Sequence, residues 1–263
     1  LHLGTILSLN PESQPQWRAA QWACRYPLSP GMKPEREGDK WILSTPGLDF
    51  ILQRGEKPML TLAVRGRTEL GARPRQWGEA WPHLLIEQTF DPPVRLEQWD
   101  RLEFNLQFRV TQCEAAPDVP QDKGLHSAQV SAIWTVHNMN PDSPDYQDMI
   151  WFNLPVCDGR YEIPPPHYAL DSGKDDASGK FICVMPGREF YDRDVKDGRW
   201  HRLHVNVIPY LEQALQISRE RGFLTESRLE DLAMTTFNLG WEVTGAWNAG
   251  IDFKDLSLRG WKE

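Results

Sequence analysis

The chain has 263 residues, and 40% of them are hydrophobic, enough for a sizeable core. A formal net charge of −8 argues against a nucleic-acid binder, which needs a basic footprint on phosphate, and disfavours a strongly anionic polymer as ligand. No apolar run approaches the roughly 20 residues of a membrane span, and Leu1-His2-Leu3-Gly4 lacks the basic and apolar regions of a signal peptide.

In chain order, Ala19–Tyr26 is a possible strand, and Trp41–Ser44 and Leu48–Gln53 are short strands split by the turn signal Thr45-Pro46-Gly47. Met59–Arg65 is a clear strand, and residues 66–80 read as a polar loop rich in Arg and Gly. Trp81–Phe90 places His83, Leu85 and Glu87 on one face and Leu84, Ile86 and Gln88 on the other. Asp91-Pro92-Pro93 is expected to end it. In Trp99–Val110, Leu102, Phe104, Leu106 and Phe108 alternate with polar residues, as in a strand with one wet face.

The stretch from His126 to Tyr161 reads as the centre of the molecule. Ala128, Val130, Ala132, Trp134 and Val136 form an apolar face, with Gln129, Ser131, Thr135 and His137 opposite and Ile133 as the apolar intruder. Asp148–Val156 repeats the pattern, with Ile150, Phe152 and Leu154 against Met149, Trp151 and Asn153. Long loops are expected near 66–80, 138–147 and 157–179. Lys180–Met185 and Trp200–Ile208 are strands. Pro209 then opens a short helix near 210–221, with Leu211, Ala214, Leu215 and Ser218 on its inward stripe and Gly222 as its stop. Leu232–Thr244 and Gly250–Leu258 close the chain, and a bulge near Lys254-Asp255 would turn Ile251, Phe253, Leu256 and Leu258 all inward.

Roughly ten to twelve short strands without strand–helix alternation predict an all-β protein, an antiparallel jelly-roll β-sandwich over residues 1–263 as a single domain. The closing segment GIDFKDLSL resembles the terminal strand of the galactose-binding-like, concanavalin-like and carbohydrate-binding-module jelly rolls. Arg67-Thr68-Glu69-Leu70 is similar over four residues to the substrate-groove strand of jelly-roll alginate lyases, with Gly71 where that strand has Arg. These resemblances imply a glycan-recognising sandwich with a poly- or oligosaccharide partner, extracellular or periplasmic and of bacterial type.

Sugars are held by planar hydrogen-bonding groups and by rings under their CH faces. His83, Gln129, Trp151, Asn153, Asn206, Trp241, Arg160 and Tyr161 are the expected substrate contacts, together with Ser131, Asn238 and Glu242 on the polar faces of their strands. Glu87 and Glu242 are the candidate carboxyl pair of a glycoside hydrolase. His204 or His83 as base, with Arg202 and Gln129 neutralising a uronate, would make a polysaccharide lyase. A non-catalytic binding module and a structural or adhesive sandwich are the other readings. No cofactor is required by either reaction. Cys24, Cys113, Cys157 and Cys183 lack short metal spacing, so no metal centre is expected, and their disulfide state is open. The loop 171–180, DSGKDDASGK, has carboxylates suited to a structural calcium ion but lacks the D-x-D-x-D-G spacing.

Overall fold

The computed structural model describes residues 17–56, 58–172 and 177–262. In chain order its strands are β1 (Trp17–Trp22), β2 (Glu35–Glu37), β3 (Lys40–Ser44), β4 (Leu48–Gln53) and β5 (Met59–Arg65). Next come β6 (His83–Arg95), β7 (Arg101–Ala115), β8 (Ala128–Asn138) and β9 (Met149–Asp158). The last five are β10 (His167–Leu170), β11 (Phe181–Val184), β12 (His201–Asn206), β13 (Leu232–Val243) and β14 (Trp247–Trp261). Two helices, α1 (Gly66–Leu70) and α2 (Ile208–Glu220), complete the described set apart from short 3-10 turns.

The strands form two seven-stranded sheets. Sheet A runs β1-β6-β13-β8-β9-β11-β10, and sheet B runs β12-β7-β14-β5-β4-β3-β2. β8 is therefore the middle strand of sheet A, and β9 is its neighbour. The sandwich is antiparallel except for β9 with β11, which pair in parallel. A parallel return needs a long crossover, and residues 159–180 supply it.

Alternation sets the inner faces. Val130, Trp134 and Val136 of β8, Ile150 and Phe152 of β9, and Phe104 and Phe108 of β7 are all buried. Phe104 meets Trp134 edge-on, with centroids 5.0 Å apart, and Phe237 lies 4.9 Å from the same indole. Such rings contribute large buried area and preferred edge-to-face contacts, so this trio ties sheet B to sheet A. Helix α2 starts at a proline-bearing first turn, where a missing N–H costs nothing. It buries the four residues of the predicted stripe, Leu211, Ala214, Leu215 and Ser218. It packs on β9 and β11, and its leucines share a core cluster with Phe152 and Phe181.

Three local expectations change. Residues 66–70 are the helical turn α1, not loop or groove strand. β6 runs on through Pro92 and Pro93, because its pairing with β13 jumps from Thr89–Thr236 to Val94–Met234, and the prolines occupy the stretch where no ladder N–H is needed. A strand, β10, interrupts the long segment 157–179. The predicted bulge in β14 is present. The register shifts between Lys254 and Ser257, Asp255 has φ 53°, and Ile251 and Phe253 are buried while Leu256 and Leu258 pack partly buried on the core.

All four cysteines are free thiols. Burial pushes Cys24, Cys113 and Cys183 up to about 12 and Cys157 higher than its ordinary value, so none is poised as a thiolate nucleophile. Among the described residues no helix is long and apolar enough to cross a membrane.

Candidate functional site

The outward residues of sheet A fall into rows across the strands, because each antiparallel register places same-face residues directly opposite. One row is Trp22, His83, Glu242, Gln129 and Asp158. The next is Ala20, Leu85, Gly240, Ser131 and Pro155. The third is Arg18, Glu87, Asn238, Ile133 and Asn153. The last contains Thr89, Thr236, Thr135 and Trp151. A row of small and apolar side chains, with Ala20 and Leu85 buried and Ser131 half-buried, is thus bordered by two polar rows. A side chain at Gly240 would be strained at φ 155° and would meet the Leu84 carbonyl at 2.3 Å, so β13 and β6 can approach this closely only with glycine there.

His83 is the most constrained member. Its Nδ1 lies 2.9 Å from the Trp81 carbonyl oxygen. A carbonyl only accepts, so Nδ1 carries the hydrogen and Nε2 is turned to Glu242, 3.6 Å away. The imidazole stacks on Trp81 at 5.5 Å and meets Trp22 edge-on at 5.6 Å. Glu242 is about one quarter exposed. The imidazole is held between two indoles, and the carboxylate side of the pair is reachable. Sequence reading overlooked Trp22 and Trp81. Trp81 precedes His83 by two residues in Trp81-Pro82-His83, a spacing that placed it on the same face.

Glu87 is nearly buried and pairs with Arg18 at 3.1 Å. Asn238 lies directly across from it. Glu87 and Glu242 sit on neighbouring strands four residues apart in register, which separates their Cα atoms by about 14 Å. They stand on opposite sides of the small-residue floor. Asp158, at the end of the first row, is buried and held by Arg160 through Nε at 3.0 Å and Nη2 at 2.6 Å. Arg160 and the half-exposed Tyr161, 5.2 Å from the guanidinium, form the rim there. Asn153 is buried, and its amide donates to the Trp151 carbonyl at 3.0 Å. Trp151 is half-buried and donates Nε1–H to Ser178 at 2.9 Å.

Sheet A therefore brings together His83, Glu87, Gln129, Ser131, Trp151, Asn153, Asn238 and Glu242, with Arg160 and Tyr161 at one end. Three expected members belong elsewhere. Arg202, His204 and Asn206 lie on β12, the edge of sheet B. Parity along a strand sets which residues share its face but not which sheet the strand joins. Arg202 donates to Asn105 at 2.7 Å, and His204 lies 3.2 Å from Glu103. The Asn206 side-chain oxygen accepts from the backbone N–H of Leu102 and Ile208. A fourth, Trp241, is fully buried and donates its indole N–H to the Leu62 carbonyl of sheet B at 3.1 Å. It turns to the core while its neighbour Glu242 turns outward.

The calcium option rests on a loop of which residues 173–176 lie outside the described residues. Within the rest of it, Asp171 accepts from both the backbone and the hydroxyl of Ser178. No group of three or more potential metal ligands occurs among the described residues. A structural or adhesive sandwich would cover this face with its N-terminal segment, and residues 1–16 also lie outside the described residues.

No protein-family model matches the chain, and no curated protein matches it. Solved structures do align along most of its length. Endoglucanase 3 of family GH12 from Trichoderma harzianum covers 94% of this chain and all of its own, at 6% identity and TM-score 0.46. The family 11 xylanase from Neocallimastix patriciarum covers 92% and all of its own, at 8% identity and TM-score 0.44. A family 12 xyloglucanase from Bacillus licheniformis does the same at 11% identity and TM-score 0.43. These likenesses assign no substrate and no catalytic residue to this chain, whose site rests on its own side-chain geometry.

Proposed function

We propose that the chain binds a neutral polysaccharide across the outer face of sheet A and acts on it as a glycoside hydrolase, with the His83–Glu242 pair as proton donor. The observation that carries this reading is that pair, caged by Trp22 and Trp81 at the edge of a floor made of Ala20, Gly240 and Ser131. The indoles offer apolar faces to sugar CH groups, and Gln129, Asn153 and Asn238 offer planar amides to hydroxyls. Glu87 and Asp158 are neutralised by Arg18 and Arg160, which leaves no free cationic pair for a uronate among the described residues of this face and favours a neutral polymer. The eliminative alternative keeps His83 and Gln129 but loses its cationic neutraliser, because Arg202 lies in sheet B with His204.

In this scheme the proton lies between His83 Nε2 and Glu242 and passes to the leaving glycosidic oxygen. Glu87, paired with Arg18, activates water from the far side of the floor. An inverting hydrolase keeps its carboxyl groups roughly 6.5 to 9.5 Å apart, a span two Glu side chains can reach by leaning inward from Cα atoms about 14 Å apart. A polymeric substrate also fits an extracellular or periplasmic setting, and the core cluster shared by both sheets fits a single domain.

A second reading, non-catalytic glycan binding, draws on one observation. The hold of Arg18 on Glu87 keeps that carboxylate in its own row. An array of plant, algal and bacterial polysaccharides, scored for both retention and product release, separates the readings. New reducing ends support the hydrolase. Retention without turnover leaves the binding module. An unsaturated, ultraviolet-absorbing product would replace hydrolysis by elimination, and no retention at all would remove the glycan reading.

A further inference from the structure

The segment that leads into Trp81 and His83 is built more firmly than a surface loop needs to be. Arg75 is 5% exposed and donates to four backbone carbonyls: Thr244 at 2.7 Å, Glu79 at 2.8 Å, Leu125 at 3.1 Å and Gln76 at 3.2 Å. Its guanidinium also lies 5.0 Å from the Trp81 ring, and its own carbonyl contacts His126 Nε2 at 2.9 Å. Arg73 grips both oxygens of Glu79, at 2.9 and 2.6 Å, and Glu79 also accepts from the Gln76 amide at 2.8 Å. Between these clamps, Gln76–Glu79 closes as a β-turn with the Glu79 amide 3.2 Å from the Gln76 carbonyl. Gly78 has φ 80°, and Trp77 is not left-handed, which makes the turn type II.

Trp77 occupies the second turn position and is 80% exposed. A type II turn requires glycine at its third position and almost nothing of its second. The fold thus makes no use of this indole. It precedes Trp81 by four residues and His83 by six in the same clamped segment, whose carbonyl and ring orient His83. The charges around it are mutually neutralised as the Arg73–Glu79 pair, which suits an uncharged ligand.

Building on the glycan reading above, we propose that this turn is an outlying sugar-binding arm. Trp77 stacks on a sugar unit of a neutral polysaccharide whose neighbouring units lie over Trp22, His83 and Glu242. Arg75 acts as the positioning residue that holds the arm rigid, so that stacking does not require a loop to be ordered on binding.

The test uses the whole chain with ladders of neutral β-linked gluco-, xylo- and manno-oligosaccharides of three to eight units. The wild type is expected to bind the longer members of one ladder more tightly than the shortest. Trp77→Ala should lose about tenfold in affinity for the long members, one stacking contact's worth, with unchanged affinity for the trimer and an unchanged melting temperature. Trp77→Phe should recover part of the loss. Equal affinities of wild type and Trp77→Ala at every length would overturn the arm while leaving the sheet A site standing. Absence of wild-type binding to every ladder, and to the polysaccharide array, would overturn the glycan reading and the arm with it. Loss of binding to phosphatidylcholine vesicles in Trp77→Ala, with oligosaccharide affinity untouched, would assign the indole to lipid and overturn the arm alone.

Discussion

The two outer faces of the sandwich are made from similar residue types and arrange them differently. On sheet B the polar side chains answer one another. Arg109 donates twice to Asp252, at 2.6 and 3.0 Å, and Asp252 also takes the Thr61 hydroxyl at 2.6 Å. Glu103 lies between Arg101 at 2.7 Å and His204 at 3.2 Å. Trp200 is flanked by Lys254 at 3.9 Å and Arg109 at 5.1 Å. On sheet A the centre is Leu85, Gly240, Ser131 and Pro155, with indoles and a few constrained ionisable groups around it. A histidine, an arginine and an asparagine do not mark a site by their identity. Polar groups are partnered on both faces, and the row of small side chains beside them is what sets sheet A apart.

The sharpest break of this contrast is at Trp241 and Glu242, adjacent in sequence and opposite in role. Trp241→Ala should cost about 3 to 5 kcal/mol, since it empties a fully buried site and leaves the Leu62 carbonyl without its donor. Denaturant unfolding reads this directly, and a loss under 1 kcal/mol would mean that the indole does not bridge the sheets. Trp151→Ala, on the outer face, should reverse the pattern. Glycan affinity should fall about tenfold, or about 1.4 kcal/mol, with a smaller change in stability because the ring is half-buried. Unfolding without any change in affinity would remove Trp151 from the site.

A smaller effect concerns pH. Burial, with Lys180 nearby, holds His137 below its ordinary value of 6.5, and its Nδ1 contacts Thr235 at 2.8 Å. The unfolded chain then binds more protons than the folded one between the two values. The His137 contribution to stability is complete above pH 6.5 and is lost as pH falls through its lower folded value. His137→Gln should flatten the stability curve on the acid side of pH 6.5, measured as unfolding midpoints from pH 5 to 8. An unchanged slope would mean that other groups carry the acid sensitivity. The smallest effect belongs to sheet B. Arg202→Ala should change stability by no more than about 0.5 kcal/mol, because its partner Asn105 is solvated and also donates to the Asp255 carbonyl.

Much of this contrast was legible in the sequence, and the gaps have physical causes. Strict alternation in β8 and β9 marked both the centre of sheet A and its outward set, including the intruder Ile133, which stands between Asn238 and Asn153. The stripe Leu211, Ala214, Leu215 and Ser218 and the bulge at Asp255 were equally readable, since both follow from local periodicity. Strand neighbours were not readable. Arg202 and His204 share the parity of a polar face but belong to the other sheet, because β12 pairs with β7. Pro92-Pro93 looked like a strand end because the irregular pairing that tolerates it is a property of β13 as well as β6. The His83 cage needed Trp22 and Trp81 to meet from different segments, and only half of that, the Trp81–His83 spacing, is local.

The central claim is that chemistry belongs to sheet A and not to sheet B. It is tested most directly by comparing Glu242→Gln with His204→Gln on whichever polysaccharide the wild type retains, measuring reducing-end release and binding together. Loss of one partner in acid–base catalysis costs roughly 100- to 10,000-fold. The account predicts that Glu242→Gln falls by that order with binding and stability kept, while His204→Gln turns over at the wild-type rate. Full activity in Glu242→Gln, or its loss in His204→Gln, would contradict the account.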